Sequence, residues 1–125
     1  IVLTIGKTLG VFNDKEFILD TPPQIVNGRV FVPISTITDI YGADMEWNQE
    51  TKEISISLVG THIFLKIGDL NARIESDTKD TQYIVLDGKP FIANQRTMVP
   101  LRFISEAFGS VVEYVPSTKE IMIKF

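Results

Sequence analysis

Apolar and polar residues alternate in short runs along most of this chain, and twice the alternation gives way to helical spacing. Val2, Leu3 and Ile5 form a run that closes at Gly6, and Leu9, Val11 and Phe12 follow around Gly10, which predicts a hairpin. Phe17-Ile18-Leu19 is a further strand, stopped by Pro22-Pro23 because proline lacks the amide a central ladder needs. Asn27-Gly28 reads as a two-residue turn into the strand Arg29-Val30-Phe31-Val32. Pro33 then suits the first position of a helix carried by Ile34, Ile37, Ile40 and Tyr41 and ended by Gly42. A helix of about nine residues is too short to stand alone, so it is expected to lie on a sheet. Met45 and Trp47 continue that sheet, and Ile54, Ile56 and Leu58 alternate with Ser55 and Ser57 as a half-buried antiparallel strand.

The same order then recurs. Thr61 to Ile67 is a strand ending at Gly68, Leu70, Ala72 and Ile74 alternate, and Glu75 to Thr81 is a polar insertion. Tyr83 to Leu86 and Phe91-Ile92 flank Asp87-Gly88, which reads as a second hairpin turn. Arg96 to Gly109 repeats the strand, proline and helix, and Val111 to Ile123 repeats the closing strands. Arg29 aligns with Arg96, Pro33 with Pro100, Tyr41 with Phe108 and Trp47 with Tyr114, so size and aromatic character persist where identity does not. Such positions are expected in the core. The expectation is an α+β fold with antiparallel β-sheets each packed on a short α-helix and an internal two-fold sequence repeat. Residues 1–60 form the first sheet-and-helix repeat and residues 61–125 the second, packed together as one compact unit, since about 60 residues is near the lower limit for independent folding.

Composition narrows the function. A chain of 125 residues that is 44% hydrophobic can bury a real core. Its net charge of −4, with Lys and Arg scattered, argues against nucleic-acid binding, which rests on clustered cations. No apolar run approaches the roughly 20 residues needed to cross a bilayer, so no membrane insertion by this segment is expected. There is no cysteine, hence no disulfide, thiolate metal site or cysteine nucleophile. The chain opens on Ile1 and reads at once as a strand, as a segment of a longer polypeptide would.

Candidate chemistry is sparse. Asp69, Glu75, Asp77 and Asp80 could present oxygens to calcium, but their spacing fits no EF-hand and a solvated hairpin tip is the preferred reading. Arg102 and Glu106 stand one turn apart and are expected to pair. Arg29 and Arg96 could clamp an anion, although a structural hydrogen bond to nearby carbonyls is favoured. Trp47 and Tyr114 could be sugar-stacking platforms, but their phase places them with Met45 and Val112 on the helix side, which favours core; with Tyr83 they are the candidate ligand-binding residues. His62, the one histidine, is expected to face solvent or fill a satisfied pocket, and no Gly-x-Ser-x-Gly turn, phosphate loop or His-Glu-x-x-His run accompanies it. No catalytic, cofactor or metal residues are assigned.

Arg-x-x-Val-Pro, a short helix ending in glycine, an aromatic a few residues later and Thr-Lys-x-Ile-x-Ile occur twice, at Arg29 to Ile56 and at Arg96 to Ile123. This pattern resembles the copper amine oxidase N-terminal-like domain of bacterial surface and secreted proteins. The second copy is the closer match, because Ser35 and Thr36 stand in the first where Arg102 and Phe103 stand in the second. The resemblance implies a stalk-like module without copper site or quinone cofactor, in an extracellular or cell-surface protein of Gram-positive type. The function expected is that of a non-catalytic spacer or docking domain, with carbohydrate or cell-wall polysaccharide binding as the alternative. Its partners would be other domains of the parent protein, cell-wall polysaccharide or another surface protein.

Overall fold

The computed structural model describes residues 1–125. Three strands open the chain: β1 (Val2–Thr4), β2 (Leu9–Phe12) and β3 (Lys15–Ile18). The turn between β2 and β3 is made by Asn13 and Asp14, both at positive φ, a conformation their short polar side chains tolerate. β4 (Gln24–Val26) and β5 (Arg29–Pro33) form the hairpin expected at Asn27-Gly28, and helix α1 (Ile34–Tyr41) follows at once. Pro33 is the N-cap of α1 rather than its first turn: its ψ of 144° is extended, and it ends the strand. Gly42 closes the helix at φ 66°, its N–H donating to the Thr38 carbonyl.

β6 (Asp44–Trp47), β7 (Glu53–Leu58), β8 (Thr61–Lys66), β9 (Asn71–Ser76) and β10 (Gln82–Val85) run as a meander. β11 (Phe91–Ala93), β12 (Arg96–Pro100), α2 (Leu101–Ala107), β13 (Val111–Val115) and β14 (Glu120–Lys124) complete the chain. At the end of α2 the Gly109 N–H donates to the Glu106 carbonyl and the Ser110 N–H to the Ser105 carbonyl, so two carbonyls left over by the helix find partners.

Three antiparallel sheets result, an α+β arrangement. A terminal sheet has the order β13-β14-β1-β2-β3, a medial sheet β10-β9-β8-β7-β6, and a four-stranded bridging sheet β11-β12-β5-β4. Every sheet takes strands from both sides of the boundary between residues 60 and 61, so residues 1–60 and 61–125 do not each own a sheet. The helices are correspondingly shared: α1 lies on β5 and β12, and α2 touches β13, β5 and β8, one strand from each sheet. One contiguous core, including Leu3, Ile37, Ile56, Ile63, Ile104 and Ile121, holds them, with Phe108 and Tyr114 half-buried against it.

Asp87-Gly88 is not a hairpin turn. β10 and β11 belong to different sheets, and the hairpin lies at Asn94-Gln95, both at positive φ. Gly88 serves packing instead: a Cβ there would stand 2.7 Å from Cζ of Phe31, a buried ring already wedged edge-on against Phe91. Lys124, whose charge could have guarded a sheet edge, sits on β14 inside the terminal sheet and pairs with Glu113 at 3.3 Å.

Candidate interaction surface

One face of the medial sheet packs on the core, with Ile54, Ile56, Ile63 and Leu65 all buried. Alternation sends their neighbours to the other face, which no element covers. Cross-strand pairing lines up Glu46, Ser55, Phe64, Arg73 and Tyr83 on that outer face, from edge strand β6 to edge strand β10. A second row holds Asp44, Ser57, His62 and Glu75.

Arg73 organises the centre. Its guanidinium lies 3.9 Å above the Phe64 ring, donates through Nε to Glu75 Oε2 at 2.7 Å and through a second nitrogen to Glu53. The hydrogen bond to Glu75 raises the pKa of Arg73 above its ordinary value; burial opposes this, and the bond and charge of Glu53 add to the rise. Arg73 is therefore a structural cation shared by two carboxylates, and the rest of the face mixes acidic and polar groups with the aromatic rings of Phe64 and Tyr83. Arg73 escaped the sequence reading altogether, because nothing local marks the meeting of Glu53 on β7 and Phe64 on β8 with it.

His62 is satisfied on both nitrogens. A carboxylate can only accept, so Nε2–H donates to Asp77 Oδ1 at 3.2 Å, and the Ser57 hydroxyl lies 2.9 Å from Nδ1. Serine, histidine and aspartate thus stand in a chain, but Ser57 and His62 are simply opposite each other across β7 and β8. Both strands are interior to the sheet, so their amides are spent on the ladders and none is left to hold an oxyanion. The arrangement pins the end of β9 to the β7–β8 turn, where the Asp77 N–H also donates to the Gly60 carbonyl.

The other candidates disperse. Glu75 is taken by Arg73, Asp77 by His62, and Asp69 accepts from the Asn71 amide, and with Asp80 they do not gather into a group that could hold calcium. No three His, Asp or Glu side chains are grouped to hold a metal ion. A copper centre needs several imidazoles, and the one here is occupied, so the residues present do not fit one. Arg102 and Glu106 pair at 3.6 Å as expected. Arg29 and Arg96 bind carboxylates rather than mainly carbonyls: Nε of Arg29 lies 3.0 Å from Asp87 Oδ2, and Nε of Arg96 lies 3.5 Å from Asp20 Oδ2.

The three aromatic candidates part company. Tyr114 packs on the core, as its phase requires. Trp47 has the expected phase, opposite buried Ile54, yet it is 45% exposed, because β6 is an edge strand with no sheet neighbour beyond it. Its indole N–H donates to Gln49 Oε1 at 2.9 Å, and it borders a cleft of ≈ 510 Å³ lined also by Glu46, Glu50, Ser55 and Phe64. Tyr83 is 81% exposed at the far end of the outer face.

The family model of the copper amine oxidase N-terminal domain matches residues 1–123. The chain belongs to that family. In copper amine oxidases this is a non-catalytic accessory domain, and here it accounts for essentially the whole chain. None of the curated proteins matches it.

Proposed function

We propose that this domain is an interaction module of a larger secreted or cell-surface bacterial protein, docking through the outer face of its medial sheet. The carrying observation is that this face is uncovered and its central cation is held: Arg73 is fixed by Glu53, Glu75 and Phe64, in the row that runs from exposed Tyr83 on one edge strand to Glu46 on the other. Exposed aromatics beside fixed polar groups suit docking, and the spent polar groups of His62 and Arg73 suit it better than chemistry. Its partners are other domains of the parent protein or a second surface protein. The test is capture of surface-protein partners by the parent protein with and without this segment, together with detection of the parent in the secreted or wall fraction. Retained capture after Tyr83→Ala combined with Arg73→Ala, in a folded protein, argues against this face.

The second reading is saccharide binding, favoured by the cleft that Trp47 and Phe64 line with Glu46, Glu50 and Ser55. Retention on purified wall polysaccharide that Trp47→Ala or Tyr83→Ala abolishes without unfolding supports it; no retention rejects it.

The architecture also supports descent from two tandem copies of one motif. Arg29 with Asp87 and Arg96 with Asp20 are the same contact made twice, each between the two halves of the chain.

A further inference from the structure

β10 is the outer strand of the medial sheet, and it is the edge the molecule leaves least protected. The other edge strands of four residues or more carry charges: Lys15 and Glu16 on β3, Asp44 and Glu46 on β6, Glu113 on β13. β4 and β11 have only three residues each. β10 is Gln82-Tyr83-Ile84-Val85, with no charge, and its Tyr83 and Val85 are 81% and 72% exposed.

The backbone of β10 is also set for pairing. The Leu86 N–H donates to the Leu70 carbonyl at 2.7 Å, and hydrogen-bonded pairs alternate along an antiparallel ladder. Ile84 and Gln82 therefore spend their amides on Ala72 and Ile74 of β9, while the N–H and C=O groups of Tyr83 and Val85 point away from the sheet. The two residues whose side chains are most exposed are the two whose main chains are open.

We infer that two copies of this chain associate by antiparallel pairing of β10 with β10, joining their medial sheets into one. A two-fold axis at Ile84 puts Tyr83 of one copy opposite Val85 of the other in two hydrogen-bonded pairs, so all the open groups of both residues are used. An aromatic facing a β-branched residue across strands is a favourable pair, and both lie on the outer face. No like charges meet in the ladder or the three pairs that follow it: Asp87 falls opposite Thr81 of the second copy and Asp80 opposite Gly88, and Lys79 reaches Lys89 only beyond these, outside the strands. A four-residue ladder buries little area, so the dimer is a weak, concentration-dependent one. The same edge offers no such register to β3, where Lys15 and Glu16 would have to be desolvated.

The chain has no cysteine, which makes the register directly testable. Across the axis Ile84 faces its twin in a non-hydrogen-bonded pair, where Cα atoms are about 4.5 Å apart and a disulfide can close. Under mild oxidation Ile84→Cys should cross-link to a dimer, about tenfold or more faster than Ile18→Cys, which reports chance collision from the exposed β3 edge. Sedimentation of the unmodified chain should show a monomer–dimer equilibrium, and Val85→Lys, with an unchanged circular dichroism spectrum, should weaken it by about tenfold or more. Equal cross-linking of the two cysteine variants, a monomer at every concentration, dimers indifferent to Val85→Lys, or open-ended growth would each overturn the inference.

Discussion

Val32 and Val99 lie directly opposite each other where β5 pairs with β12, and both are fully buried. On either side the pairing is Phe31 with Pro100 and Met98 with Pro33, so corresponding positions of the two halves exchange places about this point. Tyr41 and Phe108, at the ends of the two helices, also meet each other, with ring centroids 5.3 Å apart. The molecule is thus closed by contacts between halves rather than within them.

That closure predicts how fragments behave. Residues 1–60 alone lose β14, which pairs with β1, as well as β8 beside β7 and β12 beside β5. Neither 1–60 nor 61–125 should show a cooperative thermal transition by circular dichroism, and equimolar mixing should restore one. A cooperative melt of either piece alone contradicts this.

Truncating the core should be costly where α2 meets the three sheets. Ile104 is fully buried, so Ile104→Ala is expected to lower stability by about 2–5 kcal/mol in urea unfolding. Ile92, exposed on edge strand β11, is the control: Ile92→Ala should fall within about 0.5 kcal/mol of the parent.

One residue should be better replaced. Ser105 is wholly buried in α2, and its Oγ has no hydrogen-bond partner. Ser105→Ala removes an unpaid desolvation penalty while keeping a good helix former, and is expected to stabilise by about 1 kcal/mol, read as a higher urea midpoint at unchanged slope.

Removing Arg73 leaves Glu53 and Glu75 facing each other without their shared cation, and exposes the Phe64 ring. Arg73→Ala is expected to cost about 1–3 kcal/mol. Because the folded-state pKa of Arg73 is raised, its contribution is complete below arginine's unfolded-state value and is lost only as pH climbs through the higher folded value. The cost should therefore be the same at about pH 7 and about pH 9; a cost that shrinks over that interval would show that the cation is not what is lost.

The periodicities located the two helices, most strands and their buried faces, because alternation and helical spacing are local properties that the backbone geometry imposes. They also carried the Asn27-Gly28 turn, which takes positive φ at both residues, and the glycine stops at Gly42 and Gly109, which depend on positive φ at one. They misplaced the turn after Tyr83, since Asp87-Gly88 has hairpin chemistry but the flanking strands enter different sheets. Trp47 shows a related limit: its phase was legible, whereas its exposure follows from β6 lying at an edge. The interaction surface was the least legible part, for Tyr83, Arg73 and Phe64 come from three strands and no spacing joins them.

By itself, then, the sequence determined the elements, the face each buries and the family, all of which follow from side-chain order along a short stretch of chain. The tertiary structure alone decided which strands are edges, which half each strand pairs with, and hence which backbone groups and aromatic rings remain open to a partner. Pairing between distant strands is chosen by the burial of the whole core, and that sum has no local signature.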